Sequence, residues 1–197
     1  MLQDFKFALR QLWKAPGFTF AAITVLALGI GANTAVFSLV HTLLFQSRSF
    51  ERPNELAQIY SQDKKNPENF RIFSYPTYQD IRAQNTVFTD VMAHNAAMIG
   101  IGEKGNTRRT FASVVSSNYF SVLGVRPVLG REFLPEEETP GRSAAVAIVS
   151  YSYWAKHDLR SDVLGSEILI NGHPLKIVGV MPKNFTGTMQ LFGAEVW

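Results

Sequence analysis

No cysteine occurs in the 197 residues. That excludes disulfides, thiol nucleophiles and Cys-based zinc sites together, and leaves the redox compartment open. Charge is sparse as well: 19 Lys and Arg stand against 16 Asp and Glu, a net of +3. Spread along the chain, it is too weak a field to imply a nucleic-acid partner. A phosphate loop of the form GxxxxGK(S/T) is missing, and His94, His157 and His173 are scattered without HExxH spacing. Ser150 and Ser152 lie near His157 but no GxSxG elbow surrounds them, so helix capping explains these serines better than nucleophilic catalysis. No low-complexity tract or internal repeat is visible. The sequence therefore offers no catalytic, cofactor-binding or metal-binding residue.

The most informative deficit is local. Between Lys14 and Arg48 there is not one Asp, Glu, Lys or Arg. A membrane-spanning helix needs about 20 mostly apolar residues, and this run exceeds that. Ala21, Ile23, Val25, Leu26, Leu28 and Ile30 cover the whole helical circumference, unlike a soluble core helix with one polar side. A cleaved signal peptide has an apolar region of only about 7 to 15 residues. Residues 18–46 are read as a transmembrane helix. Ala27, Gly31 and Ala35 recur at intervals of four and share one face, the small-xxx-small pattern by which helices approach closely in lipid. Asn33, Thr34, Ser38, His41 and Thr42 make the second half more polar, which predicts that this helix belongs to a bundle or a dimer. His41 reads as an interfacial histidine near the helix end.

Ahead of the span, residues 1–17 read as an interfacial amphipathic helix on the cytoplasmic side. Leu2, Phe5, Leu9 and Leu12 recur at three and four, and Lys6, Arg10 and Lys14 recur at four on another side. Trp13, with Lys6, Arg10 and Lys14, suits the headgroup level of a lipid bilayer, and Pro16-Gly17 is expected to break the helix. The cations before the span outnumber Arg48 and Arg52 after it, which places the N-terminus in the cytoplasm and residues from about 48 outside it.

Residues 47–197 read as a mixed α/β domain. A first strand is expected over 55–62, then a helix capped by Ser74 with Pro76 in its first turn. Strands over 96–102 and 107–115 form a hairpin. Asn118 is expected to cap a short helix that Gly124 ends, and Glu136, Glu137 and Glu138 to form a solvated acidic tip. A buried strand over 144–149 leads into a helix started by Ser150 or Ser152. Asn171-Gly172 is the strongest hairpin signal in the chain, joining strands over 166–170 and 173–181. The end, Phe192-Gly-Ala-Glu-Val-Trp197, stops on apolar residues with no closing element in view, as if the chain were cut inside a larger protein.

Several spaced motifs point the same way. Phe7-Ala-Leu-Arg-Gln-Leu-Trp-Lys-Ala-Pro-Gly-Phe-Thr-Phe continues through Leu26-Ala-Leu-Gly-Ile-Gly-Ala-Asn-Thr-Ala-Val-Phe-Ser. Phe73-Ser-Tyr-Pro-Thr-Tyr-Gln-Asp, Val114-Val-Ser-Ser-Asn-Tyr-Phe-Ser-Val-Leu-Gly-Val, Leu129-Gly-Arg-Glu-Phe and Ile177-Val-Gly-Val-Met-Pro-Lys-Asn-Phe follow in order. The series resembles MacB-like, FtsX-type ABC-transporter permeases, above all the duplicated orphan permease subgroup. The segment after the span, Gln46-Ser-Arg-Ser-Phe-Glu-Arg-Pro-Asn, departs from it in lacking a proline-richer linker, and later spans that would touch an ATPase are not in this sequence.

The resemblance implies an α+β fold: an N-terminal amphipathic helix and one transmembrane helix, then an extracytoplasmic domain like the MacB periplasmic core domain, incomplete at its C-terminus. It implies an inner-membrane permease fragment, not an enzyme, that couples ATP-driven helix motion to a periplasmic domain acting on substrates such as antibiotics, peptides or lipoproteins. The implied partners are the lipid bilayer, a cytoplasmic ABC ATPase and other permease helices. Two other readings are a single-span anchored binding or adaptor module working without an ATPase, and a membrane-tethered hydrolase built on Ser150.

Overall fold

The computed structural model describes residues 7, 10–45, 50–102, 106–139, 141, 144–188 and 193–197. They fall into two compact units, residues 1–47 and 48–197. Lys6 and the repeating Leu2, Phe5 and Leu9 lie outside the described residues.

In the first unit, residues 10–14 are helical and the break falls at Ala15. Pro16, expected to break the helix, instead opens the next one, α1 (Pro16–Phe45, 30 residues). Its fixed φ and missing N–H suit a first helical turn. Thr19 N donates to Ala15 O at 3.0 Å, starting the ladder. Helix α1 has no acidic residue in its first turn and no apolar stripe, because it is apolar all round. Its length is about 45 Å at 1.5 Å per residue, more than the roughly 30 Å hydrocarbon core of a bilayer.

The second unit is α+β. Its elements are β1 (Ser61–Gln62), β2 (Phe70–Arg71), α2 (Tyr75–Ala83), β3 (His94–Ile101), β4 (Arg108–Val115), α3 (Tyr119–Leu123), β5 (Leu129–Gly130), β6 (Val146–Val149), α4 (Tyr151–Lys156), β7 (Glu167–Ile170) and β8 (His173–Val180). β1 and β2 pair alone as a small antiparallel ribbon, so the first strand is far shorter than expected: residues 56–60 carry no strand pairing. The main sheet runs β4-β3-β7-β8-β5, with β6 parallel to β8. The β7–β8 hairpin turns on Asn171 at φ 51° and Gly172 at φ 82°, the two positive angles of a type I′ turn.

Residues 195–197 pair with two strands of the sheet. Val196 bridges β4 at Ala112 and β6 at Val149. Ser113 N donates to Val196 O at 3.0 Å, Glu195 N to Phe111 O at 2.9 Å, and Trp197 N to Ile148 O at 2.8 Å. The pairing therefore runs round a circuit: β4, β3, β7, β8, β6, residues 195–197, and back to β4. Side chains alternate across it. Val196 packs with Ile99, Ile101, Ala147, Val149, Ile168, Ile177 and Val180 in one core. Trp197 faces the other, with Tyr119, Phe120 and Leu123 of α3 and with Phe50, Ile148, Met181 and Phe185. The Phe120 and Trp197 rings meet edge-on at 5.7 Å.

Glu195 fixes this closing segment by charge. Its buried carboxylate accepts from Thr110 Oγ1 at 2.9 Å and from Arg108 and Lys156, joining β4 and α4 to the inserted residues. Burial opposes its ionisation, but the bonds from Lys156, Arg108 and Thr110 outweigh burial and hold the carboxyl below the ordinary glutamate range. Two glycines, paired with each other, let β5 lie close against β8. A Cβ on Gly130, at φ 76°, would lie 2.1 Å from Val178 O, and one on Gly179 would lie 2.5 Å from Arg131 O.

Two measurements check this account. Gly130→Ala and Gly179→Ala should each lower stability by about 2 kcal/mol or more in urea unfolding followed by near-ultraviolet circular dichroism; an effect within about 0.5 kcal/mol would contradict the close approach. Because the folded Glu195 pKa is depressed, its stabilisation is full above the glutamate range and is lost as pH falls through that range. Glu195→Gln should cost about 2 kcal/mol at pH 7, discounted for the exposed ends of Arg108 and Lys156, and should flatten the acid limb of the melting curve.

Candidate functional site

Ala27, Gly31 and Ala35 lie at four-residue intervals on α1 and are exposed, and a Cβ added at Gly31 would meet nothing within 4 Å. Trp13 is 84% exposed, and Arg10 and Lys14 are exposed on the preceding helical residues. These positions form no site among themselves within the described structure.

The second unit holds a wide cleft of about 1540 Å³. One wall is the segment with Leu56, Ile59 and Tyr60, another is α2 with Tyr75 and Tyr78, and the strand ends at His94 and Val115 form part of its lining. Ser74 starts α2 by accepting from Thr77 N at 3.4 Å, and Pro76 occupies its first turn, as the sequence predicts.

A polar clasp fastens α2 across the base of the cleft. Arg82 donates to both oxygens of Asp90, at 2.9 and 3.1 Å. Asn118 Nδ2 reaches Asp90 Oδ2 at 2.7 Å and Val91 O at 2.9 Å, while Asn118 Oδ1 accepts from Ser116 Oγ at 2.7 Å. Asn118 therefore stands at the start of α3 without capping it by its side chain, contrary to the sequence expectation. Its amide serves the clasp instead. Burial raises the Asp90 carboxyl, but the bonds from Arg82, Asn118 and the Val91 N–H overcome that and hold it below its ordinary range.

The acidic turn at Pro135–Glu138 is not a solvated tip. Glu138 accepts from Ser117 N at 2.8 Å, Ser117 Oγ at 2.6 Å and Tyr75 OH at 3.1 Å, tying the turn to α2. Glu137 pairs with Arg131 at 2.6 Å and accepts from Leu134 N. Only Glu136 is left to solvent. Sequence reasoning missed this because nothing local marks a carboxylate whose partners lie about 20 and 60 positions away.

Besides Asp90 and Tyr75, two further groups lining the cleft carry perturbed titration. Burial lowers the His94 imidazole, favouring its neutral form, and its Nδ1 lies 3.4 Å from Thr188 Oγ1. Burial raises the Glu132 carboxyl, against the opposing charge of Arg126. Ser150 Oγ accepts from Tyr153 N at 3.1 Å, capping α4, while His157 Nδ1 lies 2.8 Å from Tyr153 O. The pair a serine hydrolase needs is therefore not formed. What the arrangement offers chemically is a surface to hold something and a braced frame behind it.

If the clasp braces α2, Asp90→Asn should lose both its charge-assisted bonds to Arg82. We expect a stability loss of about 1 kcal/mol, small because both side chains are partly exposed, with faster amide exchange confined to α2. Uniform loss across the domain would contradict a local brace.

The profile of the MacB-like periplasmic core domain matches residues 19–197. No curated protein matches the chain at a significant level. Among solved structures, the periplasmic region of MacB from Actinobacillus actinomycetemcomitans is similar at a TM-score of 0.51 and 12% identity, over 64% of this chain and 60% of that one. The extracellular domain of the noncanonic ABC-type transporter YknZ from Gram-positive bacteria is similar at a TM-score of 0.50 and 18% identity, over 64% of this chain and 67% of that one. At such identities these likenesses concern the fold.

Proposed function

The chain belongs to the MacB-like periplasmic core domain family, and from that premise we propose that it is the part of an ABC-type permease that carries motion from a membrane helix into an extracytoplasmic domain. The family is a permease component of ABC transporters and not in itself an enzyme, and one long apolar helix fits a membrane-anchored protein.

The observation that supports the coupling is Phe50. It is 9% exposed and packs with Phe120, Phe185 and Trp197 in the second core. The next residue is held too: Glu51 N donates to Leu123 O at 3.4 Å, and the Glu51 side chain lies so close over Gly124 that a Cβ there would approach it to 2.9 Å. Phe50 follows the last residue of α1, Phe45, by five positions. A fully extended chain covers at most about 3.3 to 3.6 Å per residue, so that link reaches roughly 17 Å at most. A larger displacement of α1 must be passed to Phe50 and the core that holds it.

In this reading α1 crosses the inner membrane with residues 10–14 at the cytoplasmic surface, where Trp13, Arg10, Lys14 and Lys6 meet the headgroups. The face of Ala27, Gly31 and Ala35 packs against another permease helix or a second copy. A cytoplasmic ABC ATPase drives the cycle through parts of the permease outside this sequence, for efflux or release of substrates. The chain spans 60% of the length of the MacB periplasmic region it resembles, so the activity of a whole transporter is inferred from the family.

The test is to lengthen the link. With the permease and its ATPase in lipid, about ten Gly and Ser residues inserted between Ser47 and Arg48 should leave ATP hydrolysis within about twofold and abolish the ATP-dependent change in distance between spin labels on α1 and β4. A distance change of the original size would contradict coupling through Phe50. Leu at Ala27, Gly31 or Ala35 should lower ATP turnover if that face packs within the bundle.

A further inference from the structure

Helix α2 belongs to neither core. Leu56 and Met92 pack against the second core, and no residue from 57 to 91 joins either one. Of the nine residues of α2 only Tyr78 is buried. Isolated helices shorter than about 12 to 15 residues are marginal in water. What keeps α2 in shape is therefore its fastening to the rest of the unit.

Those fastenings are polar and sit at its two ends. At the start Tyr75 OH donates to Glu138 Oε1 at 3.1 Å, and near the end Arg82 holds both oxygens of Asp90. Behind them the two lines converge. Ser117 seats Glu138 through its N–H at 2.8 Å and its hydroxyl at 2.6 Å, and the next residue, Asn118, seats Asp90 at 2.7 Å. Between the ends, Tyr78 OH reaches Val91 O and Asn118 Oδ1 only at 3.4 and 3.5 Å, the long limit of a hydrogen bond. A shift of residues 117–118 thus moves both seats together.

The flanks do not tie α2 down. Ile72 ahead of it is 81% exposed and Val87 after it 83%. The turn that follows is closed by its own Asn85, whose side chain accepts from Val87 N and Phe88 N and donates to Phe88 O. Such local bonds hold wherever α2 lies. Ser74, Tyr75, Tyr78 and Ile81 line the cleft, so the cleft widens when α2 leaves.

We propose that α2 is a movable wall of the cleft, latched at its two ends by Glu138 and Asp90 and released as one unit while the sheet stays folded. Regions held by few apolar contacts are the first to open. The Arg82 and Asp90 side chains are 38% and 35% exposed, so this latch is weak beside two packed cores. Release is cooperative, because so short a helix does not persist when only one end is held. The device lies within the second unit and is independent of the coupling to α1.

The experiment uses the whole chain in lipid nanodiscs. Native-state hydrogen exchange is followed at the Tyr78 and Gln84 amides, bonded at 3.0 Å to Ser74 O and Asp80 O at the two ends of α2, and at Ile177 in β8. Tyr75→Phe removes the first latch and Arg82→Gln the second. We expect each substitution to speed exchange at Tyr78 and Gln84 together, by about fivefold or more, and to leave Ile177 within about twofold. If Tyr75→Phe speeds Tyr78 alone, or Arg82→Gln speeds Gln84 alone, the ends merely fray and the proposal is overturned. Equal protection of α2 and Ile177 in the parent chain overturns it as well. Movement is read separately as the distance between spin labels at Asp80→Cys and Val128→Cys, both exposed positions. Combining Tyr75→Phe with Arg82→Gln should raise the long-distance population about threefold or more, and an unchanged distribution contradicts a movable wall.

Discussion

The second unit depends on three residues inserted between two strands. Residues 195–197 join β4 to β6, and their side chains part to opposite sides: Val196 into the core bounded by β3, β6, β7 and β8, Trp197 into the aromatic core under α3. Glu195 adds the electrostatic part, one buried carboxylate facing Arg108, Lys156 and Thr110. Remove the insertion and β4 and β6 each lose a neighbour while both cores lose a member. The anchoring of Phe50, which sits in the Trp197 core, rests on the same closure.

Seen from that constraint, the spaced sequence motifs become one assembly. Of the four motifs that follow the span, Tyr75 and Tyr78 come from the first, Ser116, Ser117 and Asn118 from the second, Arg131 from the third, Met181 and Phe185 from the fourth. The structure gathers the first two and the acidic turn into the clasp around Asp90 and Glu138, and seats the fourth beside Phe120. The glycines of the third and fourth motifs, Gly130 and Gly179, are needed where β5 and β8 lie close. The motifs thus specify a frame, and no catalytic group falls among them.

Local chemistry made much of this legible in advance. The Ser74 and Ser150 caps, the left-handed Gly124 at the end of α3 and the Asn171-Gly172 turn are each set by a few neighbouring residues, and all were readable as sequence. Long-range partners were not. The clasp role of Asn118, the hydrogen bonds of Glu138 to Ser117 and Tyr75, and the insertion of Val196 all depend on residues distant in the chain, which no local pattern encodes. The C-terminal run showed no partner in its sequence because Ala112 and Val149, which Val196 bridges, lie far back in the chain. Pro16 was misjudged for a smaller reason: a proline that ends one helix can equally begin the next.

The account as a whole rests on α1 lying across a bilayer with the folded unit on the far side from the cytoplasm. The chain has no cysteine of its own, so single cysteines at Lys14→Cys and Lys64→Cys can be labelled in intact spheroplasts with a membrane-impermeant maleimide. The account predicts rapid labelling at position 64 and none at position 14 until the membrane is opened. Equal labelling of both positions from outside would contradict it.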